Sequence, residues 1–252
     1  MIGIIGFGRF GKLMAQYLSE DYDVYAYDIV DMSEEIDAIG SIPASLEDVC
    51  RQDVVILPVP ISELRRTLKT ISPLLKKGTV VIDVCSVKEY PVQWMTELLP
   101  DDVSILGTHP TFGPDSAADS LEGRKIALCK ARIDTHCYEK IKTYLSSKGL
   151  VVIETTAAEH DRQIAVSLAL THFIGRSLSK FGADDLAMDT EGYKRLLHIL
   201  EVVEHDTWQL FEDMHRYNPY AGEMRAEFME AMRSIEARLS NNDKTEFSEV
   251  LE

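Results

Sequence analysis

Two short stretches hold the side chains best suited to chemistry. His109 lies in Gly-Thr-His-Pro-Thr-Phe-Gly-Pro (107–114), directly after the apolar run Ser-Ile-Leu. The prolines and glycines around it predict a stiff loop at a strand end and argue against a central strand. A histidine held in this way can act as a general base, a metal ligand or a polar residue bonded to backbone. Ser86 and Lys88, in Asp-Val-Cys-Ser-Val-Lys-Glu-Tyr-Pro (83–91), also follow a predicted strand, at the edge where α/β sheets carry ligands. The two loops can therefore converge on one cleft. Read alone, the second stretch is equally a helix start with solvated Ser86 and Lys88.

Other titratable residues have plainer explanations. His160, in Glu-His-Asp-Arg, stands at a helix start, where its acidic neighbours complement the helix dipole. His172 lies in an apolar run and shares a helical face with Arg176, as a satisfied core histidine would. His198, Glu201, Glu204 and His205 have the types of metal ligands, but the second cluster that a di-metal bundle requires is missing, so a solvated face is expected and no metal. Neither a Ser-His-Asp order nor a Cys-His pair stands out.

These residues need a scaffold, and the first half supplies one. Met1–Gly8, Arg9–Asp21 and Tyr22–Asp28 read as strand, helix, strand. At the first junction lies Gly6-Phe7-Gly8-Arg9-Phe10-Gly11, a GxGxxG whose glycines permit a tight turn, close approach of a pyrophosphate and close helix packing. Asp28 ends the second strand, where a carboxylate accepts hydrogen bonds from ribose hydroxyls. It is followed by Ile29 and Val30 with no arginine, so NAD is favoured over NADP. Strand-like runs recur at Asp-Val-Val-Ile-Leu-Pro-Val, Thr-Val-Val-Ile-Asp-Val, Ser-Ile-Leu-Gly-Thr, Lys-Ile-Ala-Leu-Cys and Leu-Val-Val-Ile-Glu, several separated by helical segments. The pattern predicts a Rossmann-like, doubly wound, mostly parallel sheet over 1–155.

From 156 to 252 the strand signals stop and an all-α domain is expected. Ile164, Leu168, Thr171, Gly175 and Leu178 define an apolar, partly small face on a long helix. Two further helical segments follow, near 191–216 and 220–240, broken at Asn218-Pro219. By analogy with two-domain dehydrogenases, such a module makes a homodimer interface.

Composition narrows the function classes. The 252 residues carry 26 Lys plus Arg against 42 Asp plus Glu, a formal charge of -16, which argues against nucleic acid or an anionic membrane as partner. No apolar run reaches the roughly 18 residues of a membrane span, the N-terminus lacks signal-peptide features, and four cysteines form no disulfide-like pattern. A cytoplasmic protein with reduced thiols is the expectation.

Taken together and in order, Gly-Ile-Ile-Gly-Phe-Gly-Arg-Phe-Gly, Ser-Val-Lys-Glu-Tyr-Pro, Gly-Thr-His-Pro-Thr-Phe-Gly-Pro-Asp-Ser, Glu-His-Asp-Arg…Leu-Thr-His-Phe and Met-Asp-Thr-Glu-Gly-Tyr-Lys-Arg-Leu-Leu resemble the prephenate and arogenate dehydrogenase family of tyrosine biosynthesis, over nearly the whole chain. The resemblance implies NAD-dependent oxidative decarboxylation of a cyclohexadienol. It makes His109 the general base, has Ser86 bond the substrate hydroxyl and orient His109, places the charge of Lys88 near the loop, and turns His172 into a pocket residue, with His160 supporting the cleft wall.

The basic residue that binds the ring carboxylate is left open among Lys194, Arg195, Arg162 and Arg176, because Tyr193 is followed by lysine where many bacterial relatives have arginine. Asp119, with Asp115 nearby, is the expected partner for the ammonium of arogenate, which prephenate lacks. Competing readings are a 3-hydroxyacid dehydrogenase or imine reductase, which would lack the His109 stretch, and a noncatalytic NAD sensor, which has no need of Ser86 and His109 together.

Overall fold

The structure is a computed structural model and describes residues 1–249, with side-chain packing through residue 240. Residues 250–252, the end of the expected helical domain, lie outside the described residues. Eight strands form one sheet: β1 (Ile2–Ile5), β2 (Val24–Tyr27), β3 (Ile42–Pro43), β4 (Val54–Leu57), β5 (Val80–Asp83), β6 (Ser104–Pro110), β7 (Lys125–Arg132) and β8 (Val151–Glu154). Their order is β3-β2-β1-β4-β5-β6-β7-β8, and every neighbouring pair is parallel except β6 with β7. β1 and β5 are buried along their whole length, as their unbroken aliphatic runs require of strands covered on both faces.

Helices α1 (Arg9–Leu18), α2 (Ser33–Ala38), α3 (Leu46–Cys50), α4 (Ile61–Ile71), α5 (Glu89–Leu98) and α6 (Thr135–Ser147) cover the two faces. One core layer joins Leu57 and Val81 to Leu64, Leu68 and Met95; the other joins Ile4 and Leu106 to Phe7, Ala15 and Tyr138. The sequence order changes direction at β1, between β2 and β4, which opens a crevice at the carboxyl ends of the strands. Elements β3, α2 and α3 were not expected, since two to six residues are too few to show a period.

His109 lies inside β6 and not on a loop beyond it. β5 pairs with β6 only as far as Asp83 opposite Gly107; from Thr108 to Pro110, β6 pairs with β7 alone. Pro110 therefore occupies a free edge, where its missing N–H costs no ladder bond.

After β8 the described chain is helical: α7 (Ala157–Ile164), a π-helical turn (Ala165–Ala169), α8 (Leu170–Phe181), α9 (Glu191–Glu204), α10 (Trp208–Arg216) and α11 (Ala221–Glu249). The segment expected near 191–216 is thus two helices, because Thr207 caps α10 by accepting a bond from Leu210 N at 3.1 Å. The small-residue face is used within the chain. A Cβ on Gly175 would stand 2.5 Å from Val203 Cγ2, so α8 and α9 meet as closely as glycine allows. The module is also tied to the sheet: Ala169, Met214 and Ala221 enter the α4–α5 core, and Asp213 caps α4 by accepting from Ser62 N at 3.0 Å.

Candidate active site

The cofactor end is built by glycines. Gly6 has φ 107°, a conformation that L side chains avoid, and a Cβ on Gly11 would lie 2.2 Å from Gly6 O, so both are fixed by the turn itself. Gly8 is different: a Cβ there meets no protein atom within 4 Å, and it begins α1 with no side-chain cap. The open space and the uncapped N–H groups suit a pyrophosphate. Asp28 is locked beside them, accepting from Phe7 N at 2.5 Å and Val30 N at 3.1 Å, with Ile29 and Val30 exposed. Phe7 is buried in the core, whereas Phe10 packs against Phe112 of the loop after β6. The Arg9 side chain pairs with Asp115 and donates to His205 O at 3.2 Å.

The catalytic end is a chain of buried polar groups. His109, 5% exposed, has its Nδ1 2.9 Å from His160 Nε2, and His160 Nδ1 is 2.8 Å from Asp161 Oδ1. Asp161 also accepts from Lys88 N at 2.7 Å and Glu89 N at 2.8 Å, capping α5 from the helical module. This network assigns the tautomers. A carboxylate only accepts, so His160 Nδ1 carries a proton and its Nε2 a lone pair; His109 Nδ1 must then donate, which leaves the lone pair of His109 Nε2 free. Burial, then the neighbouring His160, then the Lys88 charge hold the His109 pKa well below the usual imidazole range. The free imidazole is therefore a neutral acceptor at pH 7. Ser86 Oγ is buried and without a protein partner among the described residues, so it is available to a ligand but does not orient His109. That task falls to His160, expected only as cleft wall, and to Asp161, which sequence reasoning passed over although it follows His160 directly.

A second polar group lies further along the same helix. His172, buried in α8, has Nε2 3.7 Å from Asp206 Oδ2, while Arg176 donates to Asp206 O and stacks 4.6 Å over Trp208. His172 Nδ1 and Arg176 Nε are buried with no partner among the described residues. In a plain α-helix twelve residues would turn His172 about 120° away from His160. The π turn absorbs one residue, reduces the offset to about 20°, and puts both histidines on the buried side.

The remaining expected residues stand outside these two groups. Lys88 is fully buried and its Nζ pairs with Asp83, so its charge is directed at that carboxylate. Lys194 is exposed and paired with Glu191 at 3.4 Å, and Arg195 is exposed beside it. Arg162 pairs with Glu159 at 2.9 Å and lies over Tyr220. Asp119 is exposed on the loop after β6. Of the four basic candidates, Arg176 is the one joined to His172 through Asp206.

Comparison with known proteins identifies the family and the fold. The family described as prephenate dehydrogenase, nucleotide-binding domain, matches residues 18–154, and a TYRAAT1-like C-terminal domain matches 177–251. Arogenate dehydrogenases 1 and 2 (chloroplastic) of Arabidopsis thaliana are each 33% identical over 94% of this chain, which spans 39% and 69% of their respective lengths. A crystal structure of A. aeolicus prephenate dehydrogenase, in complex with hydroxyphenyl propionate and NAD+, shares the fold with a TM-score of 0.77 at 23% identity, over 99% of this chain and 94% of that one. With more than half the chain matched by one family model and a whole-chain likeness to the plant enzymes, this protein belongs to the prephenate and arogenate dehydrogenase family.

Proposed function

We propose that the chain oxidatively decarboxylates a cyclohexadienol with NAD, taking arogenate in preference to prephenate. The observation that carries the reading is the His109–His160–Asp161 chain, which leaves one neutral imidazole nitrogen free, together with the buried Ser86 hydroxyl, which has no partner among the described residues. The Gly6–Gly11 turn and Asp28 would hold NAD, which would supply the hydride acceptor for the ring carbon bearing the hydroxyl. His109 Nε2 takes the hydroxyl proton, and Ser86 Oγ bonds the same oxygen and fixes its direction. The ring carboxylate leaves as carbon dioxide and the ring becomes aromatic. Asp161 holds the imidazole pair in the tautomers that this transfer requires.

The substrate preference rests on Asp206. It lies with His172 and Arg176, so one group offers a carboxylate for an ammonium and cationic or neutral donors for a carboxylate. A carboxylate about 4 Å from the arogenate ammonium gains roughly 1 to 4 kcal/mol at effective dielectrics of 80 to 20, before desolvation. Asp119 is exposed and has no such company among the described residues. The plant relatives are named arogenate dehydrogenases.

A homodimer through the helical half is part of the same reading. The close α8–α9 packing is internal, and the face left for a second copy is the exposed stripe Met229, Met232, Ile235 and Leu239 on α11, spaced three and four apart. Among the described residues no helix is long and apolar enough to cross a membrane, and the four cysteines are free, which fits a reducing compartment such as the cytosol.

The test is absorbance of NADH or NADPH formed from arogenate and prephenate, each with NAD and NADP. Arogenate with NAD should give the highest kcat/KM, and Asp206→Asn should shift the ratio towards prephenate by about tenfold, the equivalent of 1.4 kcal/mol. No turnover with either substrate would overturn the reading and favour a sensor.

A further inference from the structure

The catalytic description leaves one buried ion pair unused. Asp83 ends β5 and Lys88 precedes α5; both are 0% exposed and their side chains are paired. A buried ion pair seldom adds stability over a well-packed apolar pair, so its place beside the reacting groups calls for another explanation. Its connections supply one. Asp83 Oδ1 also accepts from Cys85 N at 3.0 Å, and Asp83 O accepts from Thr108 Oγ1 at 2.7 Å, the residue before His109. Lys88 is held at its other end, N to Asp161 Oδ1 at 2.7 Å. Ser86 therefore sits on a turn pinned on both sides, at Cys85 by Asp83 and at Lys88 by Asp83 and Asp161. Gly107 completes the fit, because a Cβ there would come within 3.4 Å of Asp83 Oδ2 and 2.8 Å of Val92 Cγ2.

We propose that Asp83 and Lys88 are positioning residues: a buried strut that sets Ser86 Oγ against His109 and keeps a fixed positive charge beneath the base. This rests on the proposed dehydrogenase reaction but assigns the pair a role other than touching substrate. The groups facing His109 are His160 and Asp161 from α7, Lys88 and Asp83 from the end of β5 and the turn after it, and Thr108 from its own strand. Burial, then His160, then Lys88 oppose protonation of His109, and removing the Lys88 charge should let His109 bind a proton more readily.

Two variants test the pair: Lys88→Met, and the charge-neutral Asp83→Asn/Lys88→Met, which avoids a lone buried carboxylate and guards against simple unfolding. Ring-nitrogen NMR of His109 during a pH titration needs no turnover, so it separates this proposal from the dehydrogenase reading. His109 should protonate at higher pH in Lys88→Met, by roughly one unit, and by less in the double variant, which removes the opposite charge as well. The acidic limb of kcat should move up with it, kcat should fall tenfold or more, and the KM for NAD should stay within threefold. A folded Lys88→Met with an unmoved His109 titration, or a folded double variant with wild-type kcat, would overturn the proposal. If wild type turned over neither substrate but the NMR shift appeared, the strut would stand and the reaction would not.

Discussion

At the residue scale, the histidine proposed as base was legible in the sequence and the groups bonded to it were not. Gly-Thr-His-Pro singled out His109, because histidine beside proline at a strand end is an economical way to fix an imidazole. Its partner His160 lies 51 positions away, a pairing that no local spacing encodes. Asp206 was hidden for the same reason, coming to His172 only through the packing of α8 with α9. Asp161→Asn tests how far the chain of imidazoles matters. An amide presents a donor where a carboxylate only accepts, so it permits the wrong His160 tautomer and removes the lone pair that His109 needs. We expect kcat to fall roughly 100-fold or more while the Kd for NAD, measured by fluorescence quenching, stays within threefold. A variant retaining a third of wild-type kcat would show that the second imidazole is only packing.

At the element scale, long periodic segments were readable and short or interrupted ones were not. β1, β4 and β5 announce themselves as aliphatic runs, whereas β3 has two residues. The expected face Ile164, Leu168, Thr171, Gly175, Leu178 assumes one unbroken α period. The π turn resets that period, so the buried set is Ile164, Ala165, Ala169, His172 and Gly175. Of the five expected positions Ile164 and Gly175 stay buried, while Leu168, Thr171 and Leu178 are only half-buried. Gly175 offers a direct check on the α8–α9 contact that brings Asp206 to His172. Gly175→Ala places a methyl 2.5 Å from Val203 Cγ2 and 3.2 Å from Ile199 O. That overpacking should cost about 1 to 3 kcal/mol, lowering Tm by roughly 2 to 4 °C per kcal/mol in a chain of this size. Val203→Ala in the same chain should recover part of the loss, read by thermal unfolding. Strictly additive losses in the double variant would place the two residues out of contact.

At the scale of the whole molecule, the α/β class and the all-helical second half followed from the change of hydrophobic period near residue 155. The way the halves interlock did not, since it depends on carboxylates such as Asp161 and Asp213 capping helices far away in sequence. Packing around the helical module also buries imidazoles in neutral form. His109 and His172 are held below the usual range chiefly by burial, and His215 is lowered to about 4 by burial, with Arg225 and His172 adding to it. The unfolded chain protonates these groups near pH 6.5 and the folded chain does not, so their contribution is complete above that value and is lost as pH falls towards 4. The urea midpoint should therefore decline between pH 7 and 5, before most carboxylates titrate. A midpoint that is flat or rising across that window would contradict the buried neutral imidazoles.

The most direct measurement concerns the proton acceptor itself: the rate of NADH formation from arogenate at pH 8 by wild type and by His109→Asn. Asparagine keeps a polar side chain in the pocket but has no basic nitrogen. Wild type is expected to turn over, and the variant to bind NAD with unchanged affinity while kcat falls about 100 to 10,000-fold. A variant within threefold of wild-type kcat would contradict His109 as the base.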